Sequence, residues 1–123
     1  LSCHHRIALD DASVQVGLPE AMLGLMPGAG GIVRMVRLLG MQEAIGLISQ
    51  GRRLKADKAL EKGLVNALAD DEADMHAQAK AWIKQNANTE GGVKQPWDSE
   101  GYKMPGGGPD SRMDGPPRPD MEP

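Results

Sequence analysis

Glu20 is the only charged residue in the run from Gly17 to Gly31, which reads GLPEAMLGLMPGAGG. Pro19 before it has no N–H and a fixed φ, which suits the end of a strand. A carboxylic acid held among apolar neighbours can give or take a proton near neutral pH, the task of a general acid or base. The same residues also fit an exposed glutamate on an ordinary loop. The glycines at 28, 30 and 31 could present free N–H groups to a phosphate at a helix start. However, no Lys-Ser/Thr pair follows them, and the last glycine of the dinucleotide fingerprint is absent, so a tight turn is the plainer reading. Cys3, His4 and His5 are adjacent. Neighbours on a strand point to opposite faces, no second cluster exists and His76 stands alone, so no metal site is expected. Arg52, Arg53, Lys55 and Lys58 could meet a phosphorylated ligand or form a solvated basic face.

The elements that must position these residues are short. Arg6–Leu9 and Ser13–Leu18 are apolar or β-branched and are divided by Asp10 and Asp11, which predicts strands near 5–9 and 13–18. From Gly31 the period becomes helical. Ile32, Met35, Val36 and Leu39 share a face, Arg34 and Arg37 lie opposite, and Gly40 is placed to stop the helix. Met41, Ala44, Ile45 and Ile48 repeat the pattern as far as Gly51. A third helix, near 55–62, carries Ala56, Ala59 and Leu60 and ends at Gly63. Leu64 and Val65 then return to strand-like residues. A fourth helix, near 72–86, places Met75, Ala79, Trp82 and Ile83 on one face.

Composition bounds the rest. The 123 residues are 40% hydrophobic but 2% aromatic, with no Phe, so a core must be assembled from Leu, Ile, Val, Met and Ala. A net charge of −3 gives no reason to expect nucleic acid. A single Cys excludes an internal disulfide and fits a reducing compartment, and no apolar run approaches the roughly 20 residues of a membrane span. A cytoplasmic protein is expected. The chain opens on Leu1 without a turn or cap, which reads as a start inside a domain. Seven of the nine prolines fall between Pro96 and Pro123 among glycines, so 88–123 is expected to be a linker or disordered Pro/Gly-rich tail.

Three stretches in order, CHHRIAL from Cys3, VQVGLPEAMLGLMPGAGGIVRMVRLLG from Val14 and EAIGLISQGRRLKADKALEKGLVNAL from Glu43, resemble the second half of the enoyl-CoA hydratase/isomerase (crotonase) family. The likeness is closest to the hydratase part of bacterial multifunctional fatty-acid oxidation proteins, where a 3-hydroxyacyl-CoA dehydrogenase follows. It covers roughly Leu1 to Asn86, and QPWDSEGYKMPGG from Gln95 is similar to the connector between the two parts.

The resemblance implies an α/β fold, part of the crotonase-like ββα spiral, over residues 1–87. It implies that Glu20 is the second of two glutamates flanking a water at the substrate double bond, the one that delivers a proton to C2. Pro19, Pro27 and Gly28 are implied to line the substrate site, with the backbone of Gly28 near that water. The first glutamate and the oxyanion-hole donors are expected before Leu1. The implied partner is an acyl-CoA substrate, with coenzyme A as part of the substrate rather than a cofactor; NAD would belong only to a dehydrogenase part. The parent is expected to be a homo-oligomer. A Δ3,Δ2-enoyl-CoA isomerase, or a non-catalytic acyl-CoA-binding or oligomerising remnant, is the alternative.

Overall fold

A computed structural model describes residues 1–107. Its order is β1 (Ile7–Leu9), β2 (Gln15–Gly17), a 3₁₀ turn (Pro19–Leu23), α1 (Gly31–Leu39), α2 (Met41–Gln50), β3 (Arg53–Lys55), α3 (Ala56–Lys62), β4 (Ala67–Ala69), α4 (Glu72–Asn86) and a second 3₁₀ turn (Pro96–Asp98). β1 pairs with β4 in parallel, Ala8 opposite Leu68, and β2 pairs with β3 antiparallel, Val16 opposite Leu54. A parallel pair needs a crossover, and here it holds the first three helices. The spiral of strand-strand-helix units that the resemblance implies is present only in part.

The core sits between the crossover helices and the strands. Met35 and Leu39 of α1, Ala44 and Leu47 of α2, Leu54 of β3, Ala56 and Ala59 of α3, and Leu64 and Val65 beyond it form one buried cluster with Ala8. Alanine is a frequent member because helices without aromatic side chains can approach closely. Gly40 turns α1 into α2 at φ +86, and its Cα lies so close to the Pro105 carbonyl that a Cβ has no room. α4 lies against β1 and β4, and its first turn is capped by the Asp71 carboxylate, which accepts from the Asp74 N–H at 2.7 Å. No helix among the described residues is long and apolar enough to cross a membrane.

Four expectations change. Pro19 does not end a strand but opens a 3₁₀ turn, where its missing N–H costs nothing. Leu64 and Val65 are buried but not in a strand, because their N–H groups are taken by the Ala59 carbonyl; β4 begins two residues later. In α2 the inward pair is Ala44 and Leu47, while Met41 and Ile45 are 46% and 55% exposed. This helix is apolar on several sides, and tertiary packing selects one of them. β3 was hidden among the basic residues: Leu54 is buried between exposed Arg53 and Lys55, a period of two carried by one apolar side chain.

The expected linker begins as an exposed stretch and then gains contacts. Gln95 is buried and donates its amide to the Ser2 carbonyl at 3.0 Å. The Trp97 ring lies 5.9 Å from the Arg37 guanidinium, and the Tyr102 hydroxyl donates to the Arg37 carbonyl. Residues 95–105 thus form a strap along α1. The remainder of the expected tail, 108–123, lies outside the described residues.

Candidate functional site

Glu20 sits on the Pro19–Leu23 turn, half-buried, as its only acidic residue. The turn closes at Gly24, in the left-handed region at φ +73, and the Glu20 carbonyl accepts the Leu25 N–H at 3.0 Å. It rests on the end of α2. There Gly51, at φ +58, leaves no space for a Cβ, which would fall 2.8 Å from Met22 Cγ and 3.4 Å from the Pro19 carbonyl oxygen. Glu20 Oε2 is out of contact with solvent and has no hydrogen-bond partner. An unsatisfied buried acceptor is costly, so a carboxylate kept this way is a candidate for chemistry.

The glycine cluster is a turn, as expected, with a specific construction. Ala29 and Gly30 are successive left-handed residues at φ 53 and 75, and the Gly31 N–H reaches the Gly28 carbonyl at 3.0 Å. Arg34 Nη1 returns from α1 to the Ala29 carbonyl at 2.8 Å and so holds the turn closed. At the start of α1, a Cβ on Gly31 would lie 3.2 Å from Leu18 Cδ1 and 3.7 Å from Pro27 Cβ. The glycine turn, Pro27 and the residue before Pro19 therefore meet at one point. Gly28 differs, since a Cβ there would meet nothing within 4 Å and packing within this chain does not demand glycine. Leu18, Pro27 and Gly31 thus tie the turn that follows Leu18 to the glycine turn. Sequence reading placed Arg34 merely on the outer face of α1; an arginine five residues beyond the turn it clamps was the signal available.

The other candidates separate from these two turns. Cys3 and His4 are exposed, and His5 turns away to stack on Trp82 of α4, ring centroids 5.0 Å apart. Burial, and then the Arg6 charge, holds the His5 imidazole below its ordinary value. Among the described residues no group of three His, Cys, Asp or Glu side chains could hold a metal. The basic group lies on solvated surface, where Lys58 pairs with Glu61 at 3.0 Å. A cleft of about 450 Å³ lies between α1 and the strap, lined in part by His4, Arg34, Arg37, Gln95 and Trp97; Glu20 does not line it.

An acid with a buried, unpartnered oxygen lies on one turn, and a glycine turn starts the next helix, in a mixed α/β unit with a parallel crossover. The chain belongs to the enoyl-CoA hydratase/isomerase family, which it matches over residues 1–95. Among solved structures it is similar to an enoyl-CoA hydratase from Bacillus anthracis at 37% identity and TM-score 0.61, covering 70% of this chain and 33% of that one. It is also similar to an enoyl-CoA hydratase from Thermoplasma volcanium GSS1, at 36% identity and TM-score 0.59, covering 65% of this chain and 32% of that one. Pseudomonas aeruginosa DspI is similar at 33% identity and TM-score 0.61, covering 71% and 35%. The chain therefore spans about a third of the length of these structures.

Proposed function

We propose that this chain carries the proton-delivering part of an enoyl-CoA hydratase site, with Glu20 as the acid. The observation behind it is the Glu20 carboxylate, which has an oxygen buried without a hydrogen-bond partner on the Pro19–Leu23 turn. In hydration of a trans-2-enoyl thioester, a water oxygen bonds to C3 as one of its protons passes to a second carboxylate acting as base, and the C2=C3 electrons move onto the thioester carbonyl as an enolate. The enolate then collapses, and C2 takes a proton. An acid fixed beside C2 in apolar surroundings supplies that proton, and donors to the carbonyl oxygen stabilise the enolate. Pro19 and Pro27 would set the walls around the acyl portion, and Gly28 would let the reacting centre approach the backbone. The second carboxylate and the oxyanion donors belong to the part of the fold that these residues do not span.

The parent is proposed to act on acyl-CoA substrates as a homo-oligomer in the cytoplasm. The likeness of QPWDSEGYKMPGG to a connector supports a parent in which a 3-hydroxyacyl-CoA dehydrogenase follows. Hydration of crotonyl-CoA, followed by loss of enoyl absorbance, is the test. In the complete protein, Glu20→Gln should lower kcat by about 10²–10⁴, the usual contribution of a general acid, with KM changed only a few-fold. Near-normal rates would remove Glu20 from the mechanism. A wild type that leaves crotonyl-CoA untouched but moves the double bond of a 3-enoyl-CoA would be an isomerase.

A further inference from the structure

The cleft of about 450 Å³ between α1 and the strap takes no part in the chemistry proposed for Glu20. Its volume lies in the range of small-molecule sites. Arg34 and Arg37 stand one turn of α1 apart and both line it. Arg34 donates from Nη1 to the Ala29 carbonyl at 2.8 Å, and the Arg37 guanidinium lies 5.9 Å from the centre of the Trp97 ring. Among the described residues neither guanidinium is bridged to a carboxylate, although Asp98 lines the same cleft. Gln95 forms part of the wall and is buried, and its Nε2 donates to the Ser2 carbonyl at 3.0 Å, so this side of the cleft is fixed before anything enters.

We infer that this cleft binds a small aromatic carboxylate. The planar fork of a guanidinium matches a carboxylate in geometry as well as charge, and hydrogen bonds between ionised groups are the stronger ones. The two arginines against the single Asp98 carboxylate leave one net positive charge in the lining, which a monoanion neutralises. A phosphate monoester carries close to two negative charges at neutral pH and would leave an excess facing Asp98. The half-buried Trp97 ring adds a flat apolar wall, against which an aromatic ring gains contact that a short aliphatic acid does not. Binding here does not depend on the role proposed for Glu20.

The test is a titration of the full, isotope-labelled chain with benzoate, followed by NMR at pH 8, where histidine is ordinarily uncharged. Saturable shifts should appear at the Trp97 indole N–H and at the amides of Arg34 and Arg37, with the Trp82 indole N–H unmoved. Benzamide, which has the ring without the charge, and acetate, which has the charge without the ring, should each bind at least about fivefold more weakly. Phenyl phosphate should also bind more weakly than benzoate. Arg37→Gln should weaken benzoate about tenfold, the effect of one lost hydrogen bond to a charged group, whereas Lys58→Gln, which removes a positive charge outside the cleft, should leave it unchanged. Asp98→Asn should shift the preference toward phenyl phosphate. Arg37 and Asp98 are exposed, so their variants should keep the native circular dichroism. Shifts that do not saturate, equal binding of benzoate and benzamide, or tighter binding of phenyl phosphate than of benzoate by the native chain overturns the inference. So does benzoate binding that Arg37→Gln and Lys58→Gln reduce alike.

Discussion

At the scale of single residues, the proposed acid carries the one unusual feature of its turn, an oxygen with neither solvent nor a hydrogen-bond partner. Glu20 Oε2 is buried without a donor, so replacing the carboxyl group with an amide breaks no hydrogen bond of the fold. Glu20→Gln should leave the stability of this chain unchanged or raise it by about 1 kcal/mol, measured by urea unfolding, even as it removes turnover in the complete protein. A fall of several kcal/mol would make Glu20 a structural residue. Gly30→Ala should do the reverse. It forces a side chain to φ 75 and against the Arg34 guanidinium, so it should cost about 1–2 kcal/mol and free Arg34 from the Ala29 carbonyl. The acid and the glycine turn were legible in the sequence because Pro19, Pro27 and three glycines punctuate an uncharged run. The clamp by Arg34 was not, because a helical period assigns a side chain to a face and says nothing about a guanidinium reaching back along its own helix.

Whole elements succeed or fail on how many side chains specify them. α1 has one apolar stripe, and it lies where the period places it, with Met35 and Leu39 buried. α2 is apolar on several sides, and tertiary packing rather than the period selects Leu47, now 4% exposed, over Ile45. Leu47→Ala should therefore cost about 2–5 kcal/mol in urea unfolding, whereas Ile45→Ala should cost under about 1. The join between the first residues and α4 responds to pH through His5. Its imidazole is held below the ordinary value in the folded chain, so the folded state binds fewer protons than the unfolded one. Stability from this contact is complete above the unfolded value of about 6.5 and is lost as pH falls through the lower, folded one. Between pH 7.5 and pH 5, the urea midpoint of the native chain should fall more than that of His5→Gln, which keeps a flat polar group against Trp82 but cannot titrate there. Parallel midpoints would show that the stack on Trp82 tolerates the imidazolium.

Across the whole molecule, the two ends of the described chain are sewn together by a segment whose composition argues against order. Between 87 and 107 the sequence is rich in Gly and Pro, and average hydropathy cannot see that Gln95, Trp97 and Tyr102 are each placed on a specific partner. Two glutamates test this directly. Glu90 lies in the exposed stretch after α4, followed by Gly91 and Gly92, whereas Glu100 is inside the strap between its two aromatic anchors. Both are exposed as side chains, so only the freedom of the backbone distinguishes them as protease sites. A glutamate-specific protease should cut after Glu90 much faster than after Glu100. Removing the Tyr102 hydroxyl should cost the strap about 1 kcal/mol, and removing the Trp97 ring about as much again. Tyr102→Phe should then speed cleavage after Glu100 by about fivefold and leave cleavage after Glu90 unchanged, since local opening of the strap precedes the cut. The double variant with Trp97→Ala should bring the two sites close to equal rates. If native Glu100 is already cut as fast as Glu90, the contacts on Arg37 do not hold the strap, and the ordered unit ends with α4.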